Sequence, residues 1–140
     1  MRLVLDTNVV VSALVWGGPP FKLIEAAAAG SIEIVASPAL RAELRDVLAR
    51  GHLASRLARQ HSTVEQAVAL HSEPVTSVSP LTTSRVVPDD ADDDHVVAAA
   101  VAGGAECVVS GDRHLLGLGS HQGIHRVRVA DAIARIEVAR

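Results

Sequence analysis

Five of the nine aspartates in this chain, Asp89, Asp90, Asp92, Asp93 and Asp94, fall in one short run, P-D-D-A-D-D-D-H-V-V-A, at residues 88–98. So many like charges share a small region only if they point into water or face a cation. Helix-start chemistry accounts for one or two of them, with Asp92 as a cap, because aspartate accepts from the free amides and favours the positive end of the helix dipole. It does not account for five. Asp94 is the best placed to act as a ligand, since Val97 and Ala98 continue its helical face into the core, and Asp90 is the rival if the helix begins early.

Three further acids stand where a carboxylate is informative. Glu43 interrupts the apolar stripe Leu40, Leu44, Val47, Leu48, and the residues three and four away, Ala39, Leu40, Asp46 and Val47, offer no cation. It either reaches solvent or a distant arginine from the rim, or it binds a metal. Asp6 ends the aliphatic run Leu3 to Leu5, and Asp112 follows the run Glu106 to Val109 after the turn Ser110-Gly111, where a capping role is the alternative. Carboxylates of this kind, brought together, make an oxygen-only site for a hard cation, Mg²⁺ or Mn²⁺. Such an ion activates water and bridges an acidic site to phosphate, so metal-assisted phosphodiester hydrolysis is the expected reaction class. The histidines are scattered, Cys107 lies within a strand, and Gly17-Gly18 lacks the Gly-Lys-Ser continuation of a phosphate loop, so no competing catalytic motif stands out.

Positioning these acids requires strands that end where they begin. Short aliphatic runs at Leu3 to Leu5, Ile32 to Ala36, Glu106 to Val109 and Arg126 to Val129 alternate with helical patterns at Val9 to Leu14, Pro20 to Gly30, Ser37-Pro38 to Arg50, Ala54 to His71, 92 to 102, from Asp112, and 130 to 137. Val75 to Val78 and Arg85 to Val87 are candidate extended pieces in a Ser, Thr and Pro-rich stretch. Alternation of this kind predicts an α/β fold with a mainly parallel sheet covered on both faces. Polar groups at the carboxyl ends of its strands meet in a crevice, and both Asp6 and Asp112 follow a strand. With 140 residues the chain is expected to form a single domain, 1–140.

The formal net charge of −3 argues against a general basic coat for nucleic acid but allows a local patch. Arg41 and Arg45 beside Glu43, and Arg113 beside Asp112, are candidates for phosphate contacts, unless they are simply the polar faces of surface helices. Cys107 is the only cysteine, which excludes an internal disulfide and suits a reducing compartment. The first aliphatic run is too short for a signal-peptide core, and no apolar run approaches the ~20 residues of a membrane span. A cytoplasmic protein without a membrane segment is the expectation.

The residues also carry a family resemblance over nearly the whole chain. The opening V-L-D-T-N-V-V-V-S-A-L, the helix P-A-L-R-A-E-L-R-D-V-L, the stretch D-D-D-H-V-V-A-A-A and the segment V-V-S-G-D-R-H-L-L resemble in turn the four motifs of PIN-domain ribonucleases, close to the toxins of VapBC-type toxin–antitoxin systems. The resemblance implies a three-layer α/β/α fold and an Mg²⁺- or Mn²⁺-dependent endoribonuclease. Asp6, Glu43, Asp94 and Asp112 would be the catalytic metal ligands, Asn8 would orient Asp6, and Ser110 would lend a supporting hydroxyl. A cognate antitoxin and a homodimer are implied as partners, with RNA as substrate. The pattern departs at His114, where many members carry another aspartate, which weakens the case for a second metal. Asp90 or Asp93 could act with or in place of Asp94. Two other readings compete: a phosphatase with Asp6 as nucleophile, disfavoured because Asn8 stands where a second acid is expected, and a protein-binding module whose acidic crevice receives a partner's arginine.

Overall fold

The computed structural model describes residues 1–72, 75–78, 91–111, 120–121 and 124–139. Asp89, Asp90, Asp112, Arg113 and His114 lie outside them, as does the 85–87 strand candidate; the side chains of Asp92, Asp93 and Asp94 are likewise outside the description.

Six strands form one sheet: β1 (Arg2–Leu5), β2 (Glu33–Ala36), β3 (Val75–Ser77), β4 (Cys107–Val109), β5 (Ser120–His121) and β6 (Ile124–Val127), in the order β3-β2-β1-β4-β6-β5. All neighbouring pairs are parallel except β5 with β6. Consecutive strand residues point to opposite faces. Leu3 and Val4 are both fully buried, as are Ile34 and Val35 at 1% exposure each, so both faces are covered and the three-layer α/β architecture follows.

Seven helices are described: α1 (Thr7–Val15), α2 (Pro19–Ala28), α3 (Pro38–Leu48), α4 (Gly51–Arg59), α5 (Val64–Ser72), α6 (Ala91–Gly103) and α7 (Val129–Ala139). None alone is long and apolar enough to cross a membrane. Local chemistry sets their limits. Ser37 caps α3 by accepting from the Leu40 amide at 3.3 Å, with Pro38 in the first turn. Between α1 and α2 the chain turns by 94° through Gly17 and Gly18, whose φ angles of 72° and 71° favour glycine.

Three expected boundaries change. The single helix expected over Ala54 to His71 is two, because His61 takes φ 58° and Thr63 then opens α5 with a reciprocal cap: its hydroxyl accepts from the Gln66 amide at 3.1 Å while Gln66 Oε1 accepts from the Thr63 amide at 3.0 Å. The last parallel strand is Ile124–Val127, not Arg126 to Val129, so α7 starts at Val129. Helix α6 starts at Ala91, which puts Asp92 inside it instead of at its cap.

At the amino edge of the sheet, Arg2 Nε donates to Glu33 Oε2 at 2.8 Å, Arg2 Nη1 to the Gly103 carbonyl at 3.0 Å, and the Thr76 hydroxyl to Glu33 Oε1 at 2.8 Å. The Thr76 bond and then Arg2 hold the Glu33 carboxyl below its ordinary pKa. This exposed network joins β1, β2, β3 and the end of α6, and it lies at the opposite edge from Asp6.

Candidate active site

Burial picks out the carboxyl edge. The buried polar residues among those described are Asp6, Thr7, Ser37, His71 and Ser110; Asp6, Ser37 and Ser110 directly follow β1, β2 and β4, and Thr7 comes one residue after Asp6. A sheet of continuous aliphatic strands has nowhere else to put polar side chains. They collect where the strands stop and α1 and α3 begin.

Asp6 is 6% exposed and Ser110 fully buried, and the Ser110 hydroxyl donates to Asp6 Oδ2 at 3.0 Å. Their meeting follows from register. Leu5 pairs with Val109 across the parallel β1–β4 ladder, so the next residue on each strand sits side by side at the edge. The Asp6 amide donates to the Val109 carbonyl at 2.9 Å, and the Asp6 carbonyl accepts from Val9 and Val10 as α1 starts. Although Asp6 occupies the N-cap position of α1, its side chain makes no capping bond. The carboxylate is directed by Ser110 instead of by the helix.

Glu43 is half-buried on α3 between the buried Leu40, Leu44 and Leu48, and α3 packs against α1. Asp94 lies in the first turns of α6. That helix leads into β4, parallel to β1, and its far end is tied to Arg2 at the amino edge; its start is therefore at the carboxyl edge, the same edge as Asp6. The described residues bring together Asp6 and Ser110, and by themselves they contain no cluster of three or more metal-ligating acids, histidines or cysteines. The donors they do offer are oxygens alone, which suits a hard divalent ion and not a thiophilic one.

The arginines proposed for phosphate differ in their surroundings. Arg45 makes a forked, exposed ion pair with Glu65 on α5, Nε to Oε1 at 3.1 Å and Nη2 to Oε2 at 3.3 Å. Arg41 lies near His71, and its Nε is buried without a hydrogen-bond partner. Cys107 is buried, with Arg135 Nη1 donating to its Sγ at 3.6 Å, and burial raises the thiol pKa, so it is a packing residue and no nucleophile.

Two residues escape sequence reasoning. His71 is 4% exposed at the end of α5, where the helical pattern alone gives no sign that its imidazole is enclosed. Arg128 follows β6 directly and so stands beside Ser110 at the carboxyl edge, since Val109 pairs with Val127. Placing the strand two residues late hides that position. Asn8, exposed on α1, lines the same cleft as Ser110 and Arg128.

The family model for the PIN domain matches residues 2–114. Among solved structures, the crystal structure of VapBC2 from Rickettsia felis bound to a DNA fragment from their promoter contains a similar chain: TM-score 0.63, 12% sequence identity, covering 91% of this chain and 98% of that one. At that identity the likeness is one of fold. No curated protein matches the chain.

Proposed function

The chain belongs to the PIN domain family, and from that premise we propose that it is a divalent-metal-dependent endoribonuclease, the toxin of a type II toxin–antitoxin pair. The observation that carries this reading is the buried Asp6 carboxylate at the carboxyl edge, held by the Ser110 hydroxyl at 3.0 Å. Burying a carboxylate is costly unless hydrogen bonds or a cation compensate it, and a phosphodiester substrate needs such a cation to approach acids at all. Asp6, Glu43, Asp94 and Asp112 are the proposed ligands of Mg²⁺ or Mn²⁺, with Asp90 the alternative to Asp94. When bound, the ion supplies Lewis acidity and neutralises charge on the scissile phosphate.

The chain's own contribution is placement. Ser110 fixes the plane of the Asp6 carboxylate, and Asn8 faces the cleft where the strand would enter. Supporting side chains of this type commonly change metal affinity or activity by ~10–100-fold. Arg41, Arg45 and Arg113 remain proposed backbone contacts; Arg45 would have to leave Glu65 to serve. A cognate antitoxin as partner is supported by the fold neighbour having been solved as a VapBC complex. A homodimer in the cytoplasm belongs to the same reading.

The test is direct. Purified protein is expected to cut RNA with Mn²⁺ or Mg²⁺ and to stop with EDTA, and Asp6→Asn is expected to lower the rate at least ~100-fold while circular dichroism stays that of the parent. Cleavage by Asp6→Asn at the parent rate would assign the activity to a contaminant. A parent that binds a partner protein yet never turns over RNA would favour the binding-module reading.

A further inference from the structure

Beside Asp6, on the far side of Ser110, lies an open cleft of about 380 Å³ whose polar lining is Asn8, Ser12, Ser110 and Arg128, with Val9 and Val129 among its apolar walls. We propose that this cleft is a phosphate subsite of the RNA strand, in which Arg128 binds the phosphodiester next to the scissile one. The inference rests on the nuclease reading and adds to it a contact that the acidic motifs do not contain.

The placement is a consequence of register. Strands β1, β4 and β6 are neighbours, Leu5 pairs with Val109 and Val109 with Val127, and the Ser110 amide donates to the Val127 carbonyl at 3.0 Å. Asp6, Ser110 and Arg128 are therefore the first residues past three adjacent strands. Arg128 begins about 10 Å from Asp6, two strand spacings of ~4.8 Å each, so an arginine there reaches a phosphate adjoining the acids without occupying their site.

Its chemistry fits an oxyanion. Guanidinium donates bidentately to phosphate and keeps its charge. Arg2, Arg45 and Arg56 are engaged elsewhere, with Glu33, with Glu65 and over the Trp16 ring at 5.3 Å from its centroid. Arg128 is exposed, and among the described residues no carboxylate pairs with it, Asp131 on the first turn of α7 included. Asn8, exposed on α1, and Ser12, partly exposed one turn on, add an amide and a hydroxyl to the same cleft, while Ser110, fully buried with its hydroxyl donated to Asp6, forms part of its floor. The volume lies within the ~300–1,000 Å³ of ordinary ligand clefts, ample for one sugar and its phosphate.

The experiment compares the parent with Arg128→Gln and Arg128→Lys on a labelled single-stranded RNA. Steady-state cleavage with Mn²⁺ is expected to show KM raised about tenfold in Arg128→Gln, with kcat little changed. The slope of log KM against log salt is expected to fall by about 0.7, the value for one phosphate contact on a single strand. Arg128→Lys should recover most of that slope, and the loss should shrink on a dinucleotide, which has no second phosphate. An unchanged KM and salt slope in Arg128→Gln, or an equal loss on the dinucleotide, would overturn the proposal. Should the parent show no turnover, the nuclease reading fails separately; fluorescence anisotropy of the same RNA then decides the subsite, with equal affinity and salt slope in parent and Arg128→Gln counting against it.

Discussion

Asp6 holds a charge-bearing group almost entirely out of water, and only the strand ends make that tolerable. Its neighbour in space, Ser110, is 104 residues away in sequence, yet the β1–β4 register makes the two adjacent. His71 shows the opposite accommodation: with its Nδ1 lacking a hydrogen-bond partner, it lines a cavity of about 10 Å³ with Thr7, Leu40 and Leu44, room for about one water. Burial, with Arg41's charge second, pushes its pKa from 6.5 down to about 4. The folded protein thus resists a proton that the unfolded chain accepts below pH 6.5. Stability is full above that pH and declines as pH falls towards about 4, by roughly 3 kcal/mol across the window. Urea titrations at pH 7 and pH 4.5 should show this loss in the parent and a clearly smaller one in His71→Leu; equal losses would refute the assignment. Asp6 and Glu43 were legible because a carboxylate at a strand end or in an apolar stripe is anomalous by itself. His71 and Arg128 were not, because a histidine in a helix and an arginine near a strand are ordinary until neighbours are known.

Helix α6, on which the proposed ligand Asp94 lies, packs closely on β1, β2 and β4. Its last residue, Gly103, meets β2 so tightly that an added Cβ would stand 2.9 Å from Val35 Cγ2 and 3.2 Å from Val35 Cβ. Alanine ordinarily improves a helix by up to ~1 kcal/mol over glycine, but overpacking costs ~1–3 kcal/mol. Gly103→Ala should therefore lower Tm by several degrees, and adding Val35→Ala should return part of it. A raised Tm in the single variant would show that α6 has room to shift. The alternation of strands and helices was readable from aliphatic runs and 3.6-residue periodicity. What escaped was punctuation: T-V-E-Q at 63–66 is a capping box that marks a new helix, and it hid inside a continuous apolar pattern. The two-residue β5, antiparallel to β6, is too short for periodicity to reveal.

Across the whole molecule, the parallel sheet sorts polar chemistry by edge. The amino edge closes with the Arg2–Glu33–Thr76 network, and the carboxyl edge gathers Asp6, Ser110 and Arg128, with Glu43 on α3 and Asp94 on α6 as the proposed further acids. The net charge of −3 gives no hint of this sorting, since it sums over edges that do different things. Whether the proposed acids, distant in sequence, together hold a divalent ion is tested most directly by Mn²⁺ titration followed by electron paramagnetic resonance. The parent should bind Mn²⁺ that Mg²⁺ displaces, and affinity should fall at least ~10-fold in Asp6→Asn and in Glu43→Gln, each with parental circular dichroism. Parental Mn²⁺ affinity in both variants would contradict the account.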